Sequence, residues 1–332
     1  MLDRNSTAFD AIGDRSLDGW TVLITGTSSG IGAATAEALA TAGASIFLAV
    51  RNPSAAREQA VRLTAVARGR IEVVPLDLAD LQSVRACAET VANRISVLDC
   101  LIANAGISKS PESHLSNGLD VRFATNHLGH FYLAHLLKSQ IEAARGRVVV
   151  LSSAAHKNRP VQLDDLQWQR RPHQDLVAYG ESKAANILFC QEAARRWEGA
   201  GVTFNAVLPG SAMTGLQRYH GDDLKRMIGF FDAEGRPNPM LRTVEQAAST
   251  VVWAAVADEL QGRSGLVLED CAFAHPAGLQ THPWTGYDAA IGDADVASQL
   301  WERSLQILSE LGADLPITAT TSAAAREHPT AL

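Results

Sequence analysis

Tyr179 and Lys183 stand four residues apart in the run Tyr179-Gly180-Glu181-Ser182-Lys183, within a stretch that predicts a helix. On a helix that spacing puts both side chains on one face, with Cβ atoms about 5–6 Å apart, so an ammonium can act on a phenol. An unperturbed tyrosine has a pKa of about 10, too high for easy proton exchange at neutral pH. Opposite charges about 4 Å apart attract by roughly 4 kcal/mol at an effective dielectric of ~20, worth about three pKa units. Tyr179 is therefore expected to move toward neutrality. Upstream, the apolar run from Arg147 to Leu151 ends at Ser152-Ser153, which places hydroxyls at the end of a predicted strand. A Tyr-x-x-x-Lys pair alone is a common surface contact, so its meaning depends on what accompanies it.

A second constellation lies near the start of the chain. Thr25-Gly26-Thr27-Ser28-Ser29-Gly30-Ile31-Gly32 follows an apolar run directly, and a helical pattern begins with Ala33, Ala34 and Ala36. Strand, glycine turn and helix in that order let backbone N–H groups and a helix N-terminus approach a pyrophosphate without Cβ atoms in the way. The spacing is G-x-x-x-G-x-G rather than G-x-G-x-x-G. Tight turns use glycine everywhere, so this element too gains meaning from its context.

The Thr25 to Gly32 run resembles the cofactor fingerprint of the short-chain dehydrogenase/reductase family, and further matches follow in the family's order. Asp77-Leu78 resembles the acidic position against the adenine, although helix capping would be the ordinary role of an isolated Asp77. Asn104-Ala105-Gly106 is similar to the Asn-Ala-Gly beside the cofactor, with Ala103 where an asparagine is frequent. Pro209-Gly210 with Thr214 resembles the segment bordering the nicotinamide. The resemblance implies Tyr179 as general acid/base, Lys183 as its activator and holder of the nicotinamide ribose, and Ser153, ahead of Ser152, as the group that orients the substrate oxygen. Asn126, in Phe123-Ala124-Thr125-Asn126-His127, matches the asparagine that anchors a water in a proton relay; alone it would read as a helix kink or surface amide. The long insert between Ser153 and Tyr179, and Ala184 to Phe189 after the lysine, resemble the retinol dehydrogenase and WW-domain oxidoreductase branch. At the end of the second predicted strand, Val50 stands where an NAD site carries a carboxylate, followed by Arg51 and Asn52. An arginine pairs with a 2′-phosphate, so NADP(H) is expected over NAD(H), the alternative being a solvated surface arginine.

These residues need a scaffold. Apolar runs at Thr21 to Thr25, Ser45 to Val50, Ile71 to Leu76, Val97 to Ala103, Arg147 to Leu151, Val202 to Leu208 and Gly265 to Leu268 alternate with helix-length segments. Their Val/Ile/Leu content suits strands buried on both faces, joined by crossovers. The expected fold is α/β: a single Rossmann-like, doubly wound parallel sheet with helices on both faces. Residues 1–19 are expected as an N-terminal extension, 20–270 as the dinucleotide-binding and catalytic domain, 271–312 as an extension packing on it, with a closing helix over Val296 to Leu311, and 313–332 as a disordered tail. His156 to Gln174 reads as a polar surface excursion, with His156 and His173 unassigned. Gly215 to Arg242, with Tyr219, Met227, Phe230, Phe231 and Met240, reads equally as a mobile lid with an apolar underside or as a packed surface helix.

Composition narrows the function classes. Among 332 residues, 46% are apolar and 20% charged, as in a globular enzyme. A net charge of −7 disfavours nucleic acid or an anionic membrane as partner. The N-terminus lacks a signal-peptide pattern and no stretch approaches a membrane span, so a cytoplasmic location is expected by default. Cys87, Cys100, Cys190 and Cys271 are scattered and read as buried thiols. His127, His130 and His135 share one predicted helix, but without a carboxylate or cysteine ligand set they read as structural, and no metal is expected. The expected partner is a small, fairly apolar ketone, aldehyde or secondary alcohol; a dimer or tetramer built on the tyrosine helix is what the resemblance implies. The alternatives are an epimerase or dehydratase, whose usual Gly-x-x-Gly-x-x-Gly turn Gly26, Gly30 and Gly32 do not fit, and a silent nucleotide-binding scaffold, which would commonly lose the tyrosine or lysine.

Overall fold

Val, Ile and Leu fill the strands because helices cover both faces of the sheet they build. In the computed structural model, which describes residues 2–313 and 315, the strands are β1 (Thr21–Thr25), β2 (Ser45–Val50), β3 (Ile71–Pro75), β4 (Cys100–Ala103), β5 (Arg147–Leu151), β6 (Thr203–Leu208), β7 (Val267–Glu269) and β8 (Ala272–Phe273). Their spatial order is β3-β2-β1-β4-β5-β6-β7-β8, parallel throughout except for the antiparallel edge pair β7 and β8. Ile24 of β1 pairs with Leu48 on one side and Ile102 on the other, so the order reverses between β1 and β4. In open α/β sheets a ligand binds in the crevice at that reversal, beyond the carboxyl ends of the strands.

Some boundaries differ from the sequence reading. Strand β4 begins at Cys100 because Val97 is exposed, and β7 begins after Gly265, which takes a left-handed turn conformation. The β8 edge strand has only two residues, too few for a periodic signal.

The helices are α1 (Ala8–Ile12), α2 (Gly30–Thr41), α3 (Pro53–Val66), α4 (Leu81–Ala92), α5 (Gly129–Leu136), α6 (Lys138–Ala144), α7 (Asp175–Arg196), α8 (Asp222–Met227), α9 (Val244–Val256) and α10 (Ala294–Glu310). A π-helical turn, Phe123–Leu128, leads into α5. One apolar core lies between the sheet and α4, α5, α7 and α10; the other joins α1, α2 and α9. Residues of the N-terminal extension enter the second core through Ala8, Ala11, Ile12 and Leu17. Helix α10 lies along α7, with Glu302 paired to Arg196, and reaches α5 and the turn before it, with the Trp301 ring edge-on to Phe131 at 4.9 Å and Ser304 Oγ 3.0 Å from His127 Nε2. Apart from Ala313 and Leu315, the tail expected over 313–332 lies outside the described residues.

The 156–174 insert is less solvated than its composition suggests. His156, Leu166 and Trp168 are buried, while Arg171 stacks on Trp168 at 3.6 Å and pairs with Glu181 of α7 at 2.6 Å. His173 does not simply meet solvent: its Nε2 lies 2.8 Å from the carboxylate of buried Asp120. In 215–242, Phe230 is buried edge-on to Trp284 at 5.3 Å, but Met227 on α8 and Tyr219 face outward. All four cysteines are buried and free, and burial raises each thiol, Cys87 and Cys100 to about 12. Burial likewise pulls His127 down to about 3, and His130 and His135 to about 4, so all three are neutral. Among the described residues no group of three or more His, Cys, Asp or Glu could hold a metal ion, and no helix is long and apolar enough to cross a membrane.

Truncating Trp301 removes the ring that joins α10 to Phe131, His135 and Phe189. Trp301→Ala should cost about 3–5 kcal/mol of unfolding free energy, read by denaturant titration; a loss below about 1 kcal/mol would show that α10 is only loosely attached.

Candidate active site

The glycine turn is shaped by what presses on it. Gly26 has φ +73°, and a Cβ there would come 2.8 Å from Ala105 Cα; one on Gly32 would lie 2.4 Å from Asn104 Nδ2 and 2.5 Å from the Gly26 carbonyl oxygen. Asn104 follows β4 and donates through Nδ2 to the carbonyls of Thr25 (2.7 Å) and Gly26 (3.1 Å). Thr25 Oγ1 accepts the backbone N–H groups of Asn104 and Ala105 at 3.0 and 2.9 Å. Its hydrogen is therefore free for His130 Nε2 at 2.8 Å, and His130 Nδ1 donates to the Asn126 carbonyl at 3.2 Å. Both contacts require the neutral ring with its hydrogen on Nδ1.

The cradle suits a dinucleotide. Ser29 caps α2 without a side-chain hydrogen bond, which leaves first-turn N–H groups of a twelve-residue helix without a side-chain cap. Ser28 and Ser29 are exposed, and Ile31 is partly so. Thr214 closes the other side: a Cβ on Gly30 would be 3.2 Å from Thr214 Cβ. Thr214 itself caps a short 3-10 turn, accepting from Leu216 N at 3.2 Å. It follows Pro209, which is buried, and Gly210, which lies against the Arg242 guanidinium. Arg51 is exposed just beyond β2, and Asn52 Oδ1 caps α3 by accepting from Ser54 N at 3.1 Å. Beyond β3, Asp77 does not cap α4. It accepts from Ala79 N at 3.0 Å in a local turn, while Asp80 is the helix cap. The Leu78 side chain is buried in the core against Leu128 and its neighbours.

Ser153 and Tyr179 meet. Ser153 follows β5, its Oγ accepts from Ala155 N at 3.2 Å, and it stands close enough to the Tyr179 phenol to lower the phenol's pKa against the effect of burial. Lys183 is buried one turn beyond Tyr179, with Nζ 5.9 Å from the phenol ring centre and donating to the Leu151 carbonyl at 2.9 Å. The same carbonyl receives Asn186 Nδ2 at 2.9 Å, and Ser152 Oγ donates to the Lys183 carbonyl at 2.7 Å. Ser152 is thereby engaged with the helix backbone.

Asn126 lies fully buried inside the π-helical turn and uses both amide donors and one acceptor site. Its Oδ1 accepts from Ile107 N at 2.8 Å, and Nδ2 donates to the Ile107 carbonyl at 2.9 Å and Ser182 Oγ at 2.8 Å. Ser182 in turn donates to the Tyr179 carbonyl at 2.7 Å. Gly106 sits where Asn126 and Lys183 converge: a Cβ on it would be 3.2 Å from Asn126 Oδ1 and 3.4 Å from Lys183 Nζ. A π-helical turn at a functional position is a common arrangement. Two site residues lay outside the predicted set: His156, left unassigned, and His130, read as structural, for which the signal was its spacing of four from Asn126 on one helix.

The charge arithmetic from sequence has the wrong sign here. Burial pushes the Tyr179 phenol above its usual value, opposed by the hydrogen bond with Ser153, and pulls the Lys183 ammonium down to about 8. The ammonium is directed at a carbonyl rather than at the phenol oxygen, and desolvation disfavours charge on both groups.

Comparison with known proteins places these features. The model of the short chain dehydrogenase family matches residues 20–225. A probable oxidoreductase of Streptomyces antibioticus is 40% identical, covering 86% of this chain and 96% of that protein. Human retinol dehydrogenase 13 is 34% identical, covering 88% and 86%. The solved structure of a putative NAD(P) dependent gluconate 5-dehydrogenase from Beutenbergia cavernae with bound NADP is 28% identical, with a TM-score of 0.62, covering 78% of this chain and 97% of that one.

With its folded pKa lowered from 10.5 to about 8, Lys183 has lost its proton in the folded chain between about pH 8 and pH 10.5, where the unfolded chain still holds it. Stability from this group is fully present above the unfolded value and is lost as pH falls toward about 8. The stability difference between the parent and Lys183→Met should increase by about 2 kcal/mol from about pH 8 to about pH 9.5. A difference that stays flat in denaturant titrations would mean that the lysine keeps its ordinary pKa.

Proposed function

This chain belongs to the short-chain dehydrogenase/reductase family, in the branch that includes retinol dehydrogenases and WW domain-containing oxidoreductases, and on that premise we propose an NADP(H)-dependent carbonyl reductase or alcohol dehydrogenase with Tyr179 as general acid and base. The observation that carries the reading is that Ser153, Tyr179 and Lys183 come together, Ser153 holding the phenol's pKa down against burial and Lys183 buried one turn on beside Gly106, its Nζ bound to the Leu151 carbonyl. As a family member the chain is an oxidoreductase acting on small molecules.

The nicotinamide cofactor, when bound, supplies or takes up the hydride. The glycine turn from Gly26 to Gly32 with Ser28, Ser29 and Ile31 would hold its pyrophosphate, and Asp77, Leu78 and Asn104 to Gly106 its adenosine side. Pro209, Gly210, Thr214, Tyr179 and Lys183 would border the nicotinamide and its ribose. Arg51, exposed beyond β2 with Asn52 next to it, supports NADP(H): a guanidinium pairs with a 2′-phosphate, and a related structure carries NADP.

For a carbonyl substrate, the Ser153 hydroxyl orients the substrate oxygen and the Tyr179 phenol donates its proton there. A phenol kept protonated by burial is the form that reduction requires. Lys183 stabilises the phenolate left behind, and Asn126 holds the Ile107 backbone beside it. Exposed Met213 and Tyr219, flanking Thr214, support a fairly apolar ketone, aldehyde or secondary alcohol as substrate. Helix α10 covers one face of α7, with Trp301 against Phe189 and Glu302 paired to Arg196. Any dimer or tetramer is therefore assigned to other surfaces. A cytoplasmic location remains part of this proposal.

Two measurements test it. Across a panel of ketones, aldehydes and quinones, Tyr179→Phe should lower kcat for NADPH consumption by about 100-fold or more, with NADPH affinity unchanged. Parent protein that binds NADPH but never consumes it would sink the reading. Arg51→Ala should raise KM for NADPH about tenfold or more and leave KM for NADH alone, as loss of a charge-assisted contact requires; equal effects on both cofactors would reassign Arg51 to the surface.

A further inference from the structure

Three residues after Ser153, in the 3-10 turn Ala154–His156, stands a fully buried histidine that the proton transfer does not use. His156 Nδ1 is 2.5 Å from the Ser153 carbonyl oxygen, and Nε2 is 3.0 Å from the backbone nitrogen of Asp288. A carbonyl only accepts and an amide N–H only donates. The ring must therefore be neutral, with its hydrogen on Nδ1 and its lone pair on Nε2.

Asp288 ends a strap of the C-terminal extension that is tied to this turn more than once. Asn158 N donates to Asp288 Oδ2 at 3.2 Å, and Lys157 Nζ donates to the carbonyls of His282 and Thr285 at 3.1 and 2.5 Å. Gly286 N donates to Glu269 Oε2 at 2.8 Å, which fastens the strap to the carboxyl end of β7. Trp284 Nε1 donates to the Ile228 carbonyl at 3.2 Å, so the strap also reaches the 215–242 segment.

We propose that His156 is a positioning residue: by holding the Ser153 carbonyl on Nδ1 it sets the Ser153 hydroxyl against Tyr179, while its Nε2 ties the same turn to the 282–288 strap. The inference rests on the roles of Ser153 and Tyr179 under Proposed function. Ser153 is extended, and its side chain already serves Ala155 N and the phenol. Turning its peptide plane therefore moves the hydroxyl. Displacements of about 1 Å at such a group cost up to about 100-fold in rate.

Two substitutions separate the halves of the contact. In His156→Asn the amide nitrogen stands near the Nδ1 position and still donates to Ser153. In His156→Gln the amide oxygen reaches toward Nε2 and still accepts from Asp288. With NADPH and the best carbonyl of the panel, His156→Asn should keep kcat within about threefold, while His156→Gln should lose about tenfold or more at unchanged NADPH affinity. Amide hydrogen exchange reads the same division without turnover. His156→Asn should expose the Asp288 amide and leave Ala155 protected, and His156→Gln the reverse.

Equal kcat in the two variants, or the opposite order, overturns the proposal, because a histidine that only stabilised the fold would not distinguish them. If the parent consumes no NADPH, Proposed function fails by itself. The exchange measurement still decides here: unchanged exchange at Ala155 in His156→Gln overturns the positioning role.

Discussion

Helix α7 is hydrogen-bonded to the end of β5 at the Leu151 carbonyl and through Ser152, and the geometry of the site depends on that attachment. The Leu151 oxygen receives Lys183 Nζ and Asn186 Nδ2, and Ser152 returns a hydrogen bond to the helix at the Lys183 carbonyl. A buried ammonium without such an acceptor would destabilise the fold by several kcal/mol, about 3–5 when a buried pair is broken. The contact that places Lys183 thus also makes its burial tolerable. Close approach of α7 is needed as well: at Gly180, next to the phenol, a Cβ would come 2.4 Å from the Ala155 carbonyl oxygen. The distance between phenol and serine hydroxyl is consequently set by helix packed on strand, which holds a site more tightly than loops do.

The cofactor side is joined to this unit by side chains whose hydrogen-bonding capacity is largely used. Asn104 grips the glycine turn, Thr25 accepts from the loop after β4 and gives its hydrogen to His130, and His130 holds the carbonyl of Asn126. Asn126 then reaches Ser182, one residue before Lys183. Buried polar networks are rigid when every member is satisfied. This one fixes the cradle and the phenol in a common frame, so neither side needs to rearrange for the other to be in place.

Much of this was legible in the sequence, for physical reasons that can be named. Strands covered on both faces are continuously apolar, and a glycine turn between strand and helix has few substitutes, so the sheet and the cradle were readable. The Tyr179 to Lys183 spacing correctly gave a shared helix face. What it did not give was the sign of the phenol's shift, because a Coulomb sum between two side chains leaves out the loss of water around both. His156 was unreadable for a different reason. Its partners are backbone groups, one of them 132 residues away, and backbone groups carry no residue-type signal. The 156–174 insert looked solvated because its arginines and aspartates were counted as free. Folding pairs Arg171 with Glu181 and Asp165, and sets His173 against Asp120.

The four thiols have a bearing on the kind of molecule such a site can take. Ketones and quinones conjugated to a double bond are alkylating agents, and the protein nucleophile they consume first is ordinarily an ionised cysteine. Here every cysteine is interior and held well above neutrality, two of them at about 12. The folded chain therefore offers such electrophiles no exposed, ionised thiol to alkylate.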